Sequence, residues 1–496
     1  MFDMKKIPMA RTVSVALLAV FAGGCENFLD VNTDPNAPVN ARVDVRLPAV
    51  VTGMVHTVYY GDPGQWTVEW MQQTSYNRDS RGYDELQLYE VQDNSANGAW
   101  SYHYATMLNE LKLMMEEVDP DADAAYYGLA KFLSAWVWLH TTDLWGPVPF
   151  TEALDPAVPT PAYDDQLPTI YGQALAMMDE AVASMRQTSR RTPGANDLLF
   201  NGDMSRWAKL ARTVQARHQL RLAYAPGENA QERAQAAISA LGEGLTSTAD
   251  DVVFEYPGGA GARNPLWRYV DRNLLFTASG LTVEMLMERN DPRLPIMVEP
   301  AVKDMEGGQV VYRGHYNADE PAADSTISEV GHFFTAEDAP LNVASYADAK
   351  FTEAEARLIL SGPGAADAPY REGIRAIMEK WGVDAADIDA YVDARPMLAS
   401  LPNPLEEIIR EKWIANYLTI EPWNDWRRTG FPSIEPVPNA FLPAIPVRIR
   451  TPESELASNS ENVTASGVDP GLQGMLFSGP SVWWGGSPPA GLTGGN

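Results

Sequence analysis

From Trp100 onward the apolar positions fall at helical spacing, with polar residues kept to the opposite faces. Trp100, Tyr104, Met107, Leu108, Leu111, Met115 and Val118 form one stripe. A second helix follows at once, and Leu129, Phe132, Leu133, Trp136 and His140 mark its face. Val137, Trp138 and Leu139 leave it almost no polar side, so the spacing predicts a helix covered by protein all round. Gly146, Pro147 and Pro149 stop it. Asp119, Asp121 and Asp123 stand where its first turn begins and are expected to cap free N–H groups. Their spacing imitates a calcium loop, but Ala124 and Ala130 occupy the positions where such a loop needs Gly and Glu.

The pattern then repeats. Leu167, Ile170, Tyr171, Ala174, Leu175, Met178, Val182 and Met185 pair with Trp207, Leu210, Ala211, Val214 and His218. Tyr346–Leu360 and Tyr370–Trp381 make a third pair, and residues 386–417 a fourth, in which Glu406 and Arg410 stand one turn apart for an ion pair. Helix pairs near 97–142, 165–224, 346–382 and 386–420 predict a mainly α, tetratricopeptide-like scaffold with little strand. A further helix is expected over 44–60. Segments 61–97, 225–345 and 430–496, rich in Gly, Pro, Asn and Ser, are expected to form a loop-rich second layer on that scaffold.

Composition narrows the reading. The chain has 496 residues, is 45% hydrophobic and carries a formal charge of -29, enough apolar content for a large core and too acidic a surface for nucleic acid or anionic lipid. Neutral or cationic ligands suit it. Residues 1–24 read as an export signal, with Lys5, Lys6 and Arg11 ahead of a short apolar run from Val13 to Ala22. Gly23-Gly24-Cys25 follows, and Cys25 is the single cysteine. The arrangement resembles a bacterial lipobox, which implies acylation of Cys25 as the first mature residue. A disulfide framework and a cysteine metal site are both excluded.

Catalytic signatures are missing. There is no His-Glu-x-x-His, no Gly-x-Ser-x-Gly and no Walker loop, and Gly258-Gly-Ala-Gly261 lacks the rest of a dinucleotide fingerprint. His56, His103, His140, His218, His315 and His332 are scattered without metal-ligand spacing, so no metal or other cofactor is expected. Paired carboxylates are uninformative among 66 acidic residues. The aromatic residues of irregular segments say more, because sugar rings offer apolar C–H faces to flat side chains and hydroxyls to polar ones. Trp66, Tyr76, Tyr83 and Trp267 meet the first need, and Asn77, Arg78 and Arg81 the second. Trp100 belongs with them or with the stripe of the next helix. The 61–97 segment, helped by Trp267, is therefore the expected ligand platform.

Trp423-Asn-Asp-Trp426-Arg427-Arg428-Thr429-Gly430-Phe431-Pro432 closely resembles a signature of SusD/RagB-like outer-membrane lipoproteins. Other stretches agree in order: Leu29-Asp-Val-Asn32-Thr-Asp-Pro-Asn36, Leu144-Trp-Gly-Pro-Val-Pro149-Phe, Asn290-Asp-Pro-Arg293 and Phe351-x-Glu353-Ala-Glu355-Ala. The resemblance implies one SusD-like domain over 25–496 and no enzymatic activity. It implies a lipid-anchored protein at the outer face of a Gram-negative outer membrane, capturing an oligosaccharide. A SusC-like TonB-dependent transporter is the implied partner. Peptide capture and a glycan-active hydrolase are the alternatives.

Overall fold

The computed structural model describes residues 41–77, 84–268, 276–302 and 307–476. The chain enters through α1 (Val43–Gly53) and α2 (Asp62–Trp70), followed by the short strand β1 (Thr74–Tyr76). α3 (Asn109–Glu117) and α4 (Ala124–Trp145) form the first antiparallel pair. As the apolar run requires, α4 is buried along nearly its whole length, and it ends at Gly146, whose φ of 84° only glycine adopts freely. The amide of Gly146 closes the last turn on the Thr142 carbonyl at 2.8 Å.

β2 (Val148–Pro149) and β3 (Tyr163–Asp164) make a minimal ribbon before the second pair, α5 (Tyr171–Met185) and α6 (Met204–Arg221). α5 lies so close to α4 at Gly128 that a β-carbon there would come within 2.8 Å of the Ala181 carbonyl oxygen. The Asp203 carboxylate caps α6 by accepting from the amides of Ser205 at 2.9 Å and Arg206 at 3.2 Å.

The 225–345 insertion departs from expectation at its start. α7 (Ala230–Leu241) is regular, and its Ala234, Ala237 and Ala240 face packs on α6. Alanine at helical spacing carries little apolar weight, which hid the helix among loop residues. Two more antiparallel ribbons complete the layer: β4 (Val252–Phe254) pairs with β6 (Leu341–Ala344), and β5 (Phe276–Ala278) pairs with β1. α8 (Tyr346–Ser361) and α9 (Pro363–Lys380) form the third pair, and α10 (Pro404–Ala415) and α11 (Glu421–Thr429) close the scaffold. Glu406 and Arg410 do pair, at 3.0 Å. No helix among the described residues is long and apolar enough to cross a membrane.

The aspartates before α4 do something other than cap it. Asp123, at the N-cap position, makes no side-chain bond to the helix and instead holds Arg190 at 2.7 Å and Arg191 at 2.9 Å. Two guanidinium groups outbid the amides of the first turn, which tethers the end of α5 to the start of α4. Asp119 turns onto the local amides of Asp121 and Ala122, at 3.0 and 2.8 Å.

Beneath the helices runs a continuous buried chain of ions. Arg217 on α6 holds Asp348 of α8 at 2.7 Å and Glu421 of α11 at 3.1 Å. Arg221 joins Glu421 at 2.8 Å to Asp143 of α4. Lys412 of α10 sits 3.1 Å from Asp425, and Arg428 binds Asp425 at 2.6 Å and Glu355 of α8 at 2.7 Å. Burial alone would raise Asp143 and Asp348, but the cations around them hold both below the usual carboxylate range. Arg428→Ala strands Glu355 without a counterion and leaves Asp425 to Lys412 alone. It is expected to lower unfolding stability by about 3–5 kcal/mol, read from urea midpoints. A loss under about 1 kcal/mol would show that the pairs are screened as surface pairs are.

Three histidines are buried beside this chain. The Thr141 hydroxyl donates to the Val137 carbonyl at 2.7 Å, so His103 Nδ1–H donates to Thr141 Oγ1 at 2.8 Å, leaving Nε2 in an apolar site. Burial pushes His103 down to about 3, pushes His140 well below 6.5 with further help from the neighbouring His103, and lowers His218. Each contributes stability that is complete above 6.5 and lost as pH falls from there toward its folded value. The slope is about 1.4 kcal/mol per pH unit per histidine. Stability should therefore drop between pH 6.5 and 4, before the carboxylates of the ionic chain titrate, and His103→Gln should flatten that slope in urea titrations taken across the interval.

Candidate functional site

The 61–97 segment is more ordered than its composition suggests. It holds α2, β1 and a short helical turn at Asp84–Gln87, and its described aromatics, Trp66, Trp70, Tyr76 and Tyr89, are packed inward. Trp66 is 4% exposed and Trp100 8%, both in a second core built with Trp70, Trp145, Trp423 and Ile445. Trp100 lies 4.6 Å from Tyr104 and edge-on to Trp145 at 5.1 Å. Tyr76 packs on Phe276 at 5.5 Å and is 3% exposed. Trp66 and Tyr76 present no open face for stacking, whereas Trp100, with Tyr104, lines a recess of about 440 Å³ closed by Pro149, Leu154 and Glu455. Residues 420–449, far along the chain, bring the cover that local composition does not reveal. Arg78, Arg81 and Tyr83, like Cys25, lie outside the described residues.

What the segment does supply is a place. In the β1/β5 ribbon Tyr76 is paired with Phe276, so the chain leaves toward residue 78 and arrives from residue 275 side by side. Asn77 is buried at this end and buckles a third segment to it: it accepts from the Ala322 amide at 2.8 Å and donates to the Ala322 carbonyl at 3.0 Å. His315 fixes the same segment from behind, its Nδ1 lying 2.8 Å from Ser75 Oγ and its amide donating to the Ala278 carbonyl at 3.0 Å. Segments distant in sequence thus converge on one end of one ribbon.

Trp267 stands on the turn Pro265–Trp267, partly exposed, with the Arg263 guanidinium 4.0 Å from its ring centre. The next residue, Arg268, donates to Gln65 Oε1. Gln65 Nε2 in turn reaches Glu69 Oε1 at 3.4 Å. Glu69 is buried, and that burial raises it to about 8 against the opposing pull of Gln65 and Arg268, so it is mainly protonated at neutral pH. Its Oε2 has no partner. α2 and the Trp267 turn are thereby joined through a polar seam rather than an apolar one.

Tyr316 is the aromatic that the sequence reading passed over. It is 41% exposed, its hydroxyl donates to Glu284, and its ring lies flat enough on Gly280 that a β-carbon there would come within 2.4 Å. Neighbouring Asn317 is buried, donating to the Glu69 and Thr74 carbonyls at 3.4 and 3.3 Å. His315-Tyr316-Asn317 in a Gly- and Asn-bearing stretch was the available signal.

A search of curated protein sequences finds no match. Among solved structures the chain is similar to a chitin-binding protein, with 22% identity, TM-score 0.76, and 90% of this chain and 100% of that one covered. It is similar to a SusD/RagB family protein from Bacteroides thetaiotaomicron, at 21% identity and TM-score 0.75 over 90% and 100% of the two chains. A chitin-binding SusD homolog from Flavobacterium johnsoniae matches at 20% identity and TM-score 0.73 over 88% and 98%. At these identities the likeness establishes the helical scaffold. Residues 41–452 match the family model for SusD-like proteins, described as starch-binding and associating with the outer membrane, and the chain belongs to that family.

Proposed function

We propose that the chain is a cell-surface binding lipoprotein, and not an enzyme, that captures an oligosaccharide and hands it to a TonB-dependent outer-membrane transporter. The observation that carries this reading is that two aromatics stay exposed or half-exposed beside polar side chains, Tyr316 over Gly280 with its hydroxyl on Glu284 and Trp267 between Arg263 and Arg268 on its turn. Rings supply contact with sugar C–H faces while amides and guanidinium groups meet hydroxyls. The relatives named for chitin and the family described for starch support a glycan over a peptide.

Capture of this kind rests on stacking, so it should respond little to salt. Trp267→Ala combined with Tyr316→Ala should weaken starch or chitin oligosaccharide binding by tenfold or more in calorimetric titration, with the fold intact. Each decade corresponds to about 1.4 kcal/mol. Undiminished binding by the double variant would place the ligand elsewhere. Binding confined to basic peptides and abolished by salt would replace the glycan with a cationic peptide.

The anchor is proposed to be an acyl chain on Cys25, following Gly23-Gly24 at the end of the export signal. Cys25→Ala should move the protein from the membrane fraction to the soluble one. An unmodified thiol at the wild-type N-terminus by mass spectrometry would refute it.

A further inference from the structure

Leu266, on the Pro265–Trp267 turn, forms part of the wall of a recess of about 240 Å³. Its remaining walls are largely aromatic. Phe334 stands edge-on to Trp381 at 5.3 Å and to Tyr417 at 5.5 Å, and Phe333 lies across Phe334 at 5.0 Å. Phe333 forms the rim and is 47% exposed, an unusual position for so large an apolar side chain on an otherwise acidic surface.

The wall offers few polar groups and most have partners of their own, with Lys380 and Asn342 standing together on it. Tyr60 donates to the Asn342 carbonyl at 3.0 Å, and Tyr417 to the Gln73 carbonyl at 3.5 Å. Lys380 donates to Asn342 Oδ1 at 2.7 Å and sits 3.1 Å from Asp251. A sugar ring drawn into this space would bury several hydroxyls against hydrocarbon, each costing roughly 1–3 kcal/mol without a partner. A flexible acyl chain would fit the volume but would lose its rotamer freedom and gain no ring contact. A single aromatic ring suffers neither loss. Rings arranged edge-on offer it both faces and edges, and a cavity of roughly 150 Å³ already holds benzene.

We propose that this recess binds a monocyclic aryl group with a short polar tail directed toward Lys380 and Asn342. Such a group arrives either as a substituent esterified to a glycan or as a free aromatic acid. The inference goes beyond oligosaccharide capture and requires only the recess, so it stands or falls separately from that reading.

The test is calorimetric titration of the intact protein with methyl 4-hydroxycinnamate, which stands for the esterified form, and with 4-hydroxycinnamate, the free acid, with glucose as the control. Saturable binding of at least one aryl probe and none of glucose is expected. A preference for the ester assigns the recess to decorated glycans, and a preference for the acid to free aromatic acids. Ala415→Leu projects a larger side chain into the recess and should weaken the preferred probe at least tenfold. Phe333→Ala removes a half-exposed rim with little demand on folding and should weaken it severalfold, which keeps the test decisive if the first variant is unstable. No saturable binding of either aryl probe, or wild-type affinity in Phe333→Ala, overturns the proposal.

Discussion

Ions that are buried must find one another, and the scaffold is arranged so that they can. Asp143, Arg217, Arg221, Asp348, Glu355, Lys412, Glu421, Asp425, Arg427 and Arg428 come from five helices and are shut away from water. A helix that slid by one residue would leave a charge facing hydrocarbon, at a cost of several kcal/mol. Hydrophobic packing tolerates small slips because it has no direction. The ionic chain does not, and it fixes the register of α4, α6, α8, α10 and α11 against one another.

The same constraint explains the Trp-Asn-Asp-Trp-Arg-Arg sequence. On α11, positions three and four apart share a face. Trp423 therefore lies under Arg427, whose guanidinium carbon is 3.4 Å from the indole ring centre, while Asp425 meets Arg428. Arg427 also donates to the carbonyls of Asp143 at 2.6 Å and Val447 at 3.0 Å, tying α11 to the end of α4 and to the C-terminal layer. Two faces of one short helix thus serve the aromatic core on one side and the ionic chain on the other. The motif works as a clasp, and its residues are spent on holding rather than on recognition.

How far this could be read from the sequence follows from the range of the forces involved. The helix pairs were legible because a buried helix advertises itself in its own residues, as at Leu129, Phe132 and Trp136. α7 was missed because its contact face is alanine. The inward packing of Trp66 was illegible for a different reason: in a stretch rich in Gly and Asn an aromatic looks like a displayed platform, and only residues 420–449 turn it into core, whereas Trp100 already stood in the stripe of the next helix. At the candidate site, Asn77 and Trp267 were both named from the sequence, but the β1/β5 ribbon that Asn77 follows rests on three residue pairs, too few to leave a periodic trace. Asp123 misled because an N-cap carboxylate and an arginine acceptor look identical until the arginines are in place.

That brevity has a consequence for how such a molecule can change. The β1/β5 ribbon is held from behind, through His315, Ser75 and Asn77, rather than by its own three residue pairs alone. Exposed residues such as Tyr316 can be exchanged at little cost to folding, whereas those of the ionic chain cannot. Variation is thereby channelled to the surface, and descendants can diverge in what they meet there while every buried arginine keeps its partner.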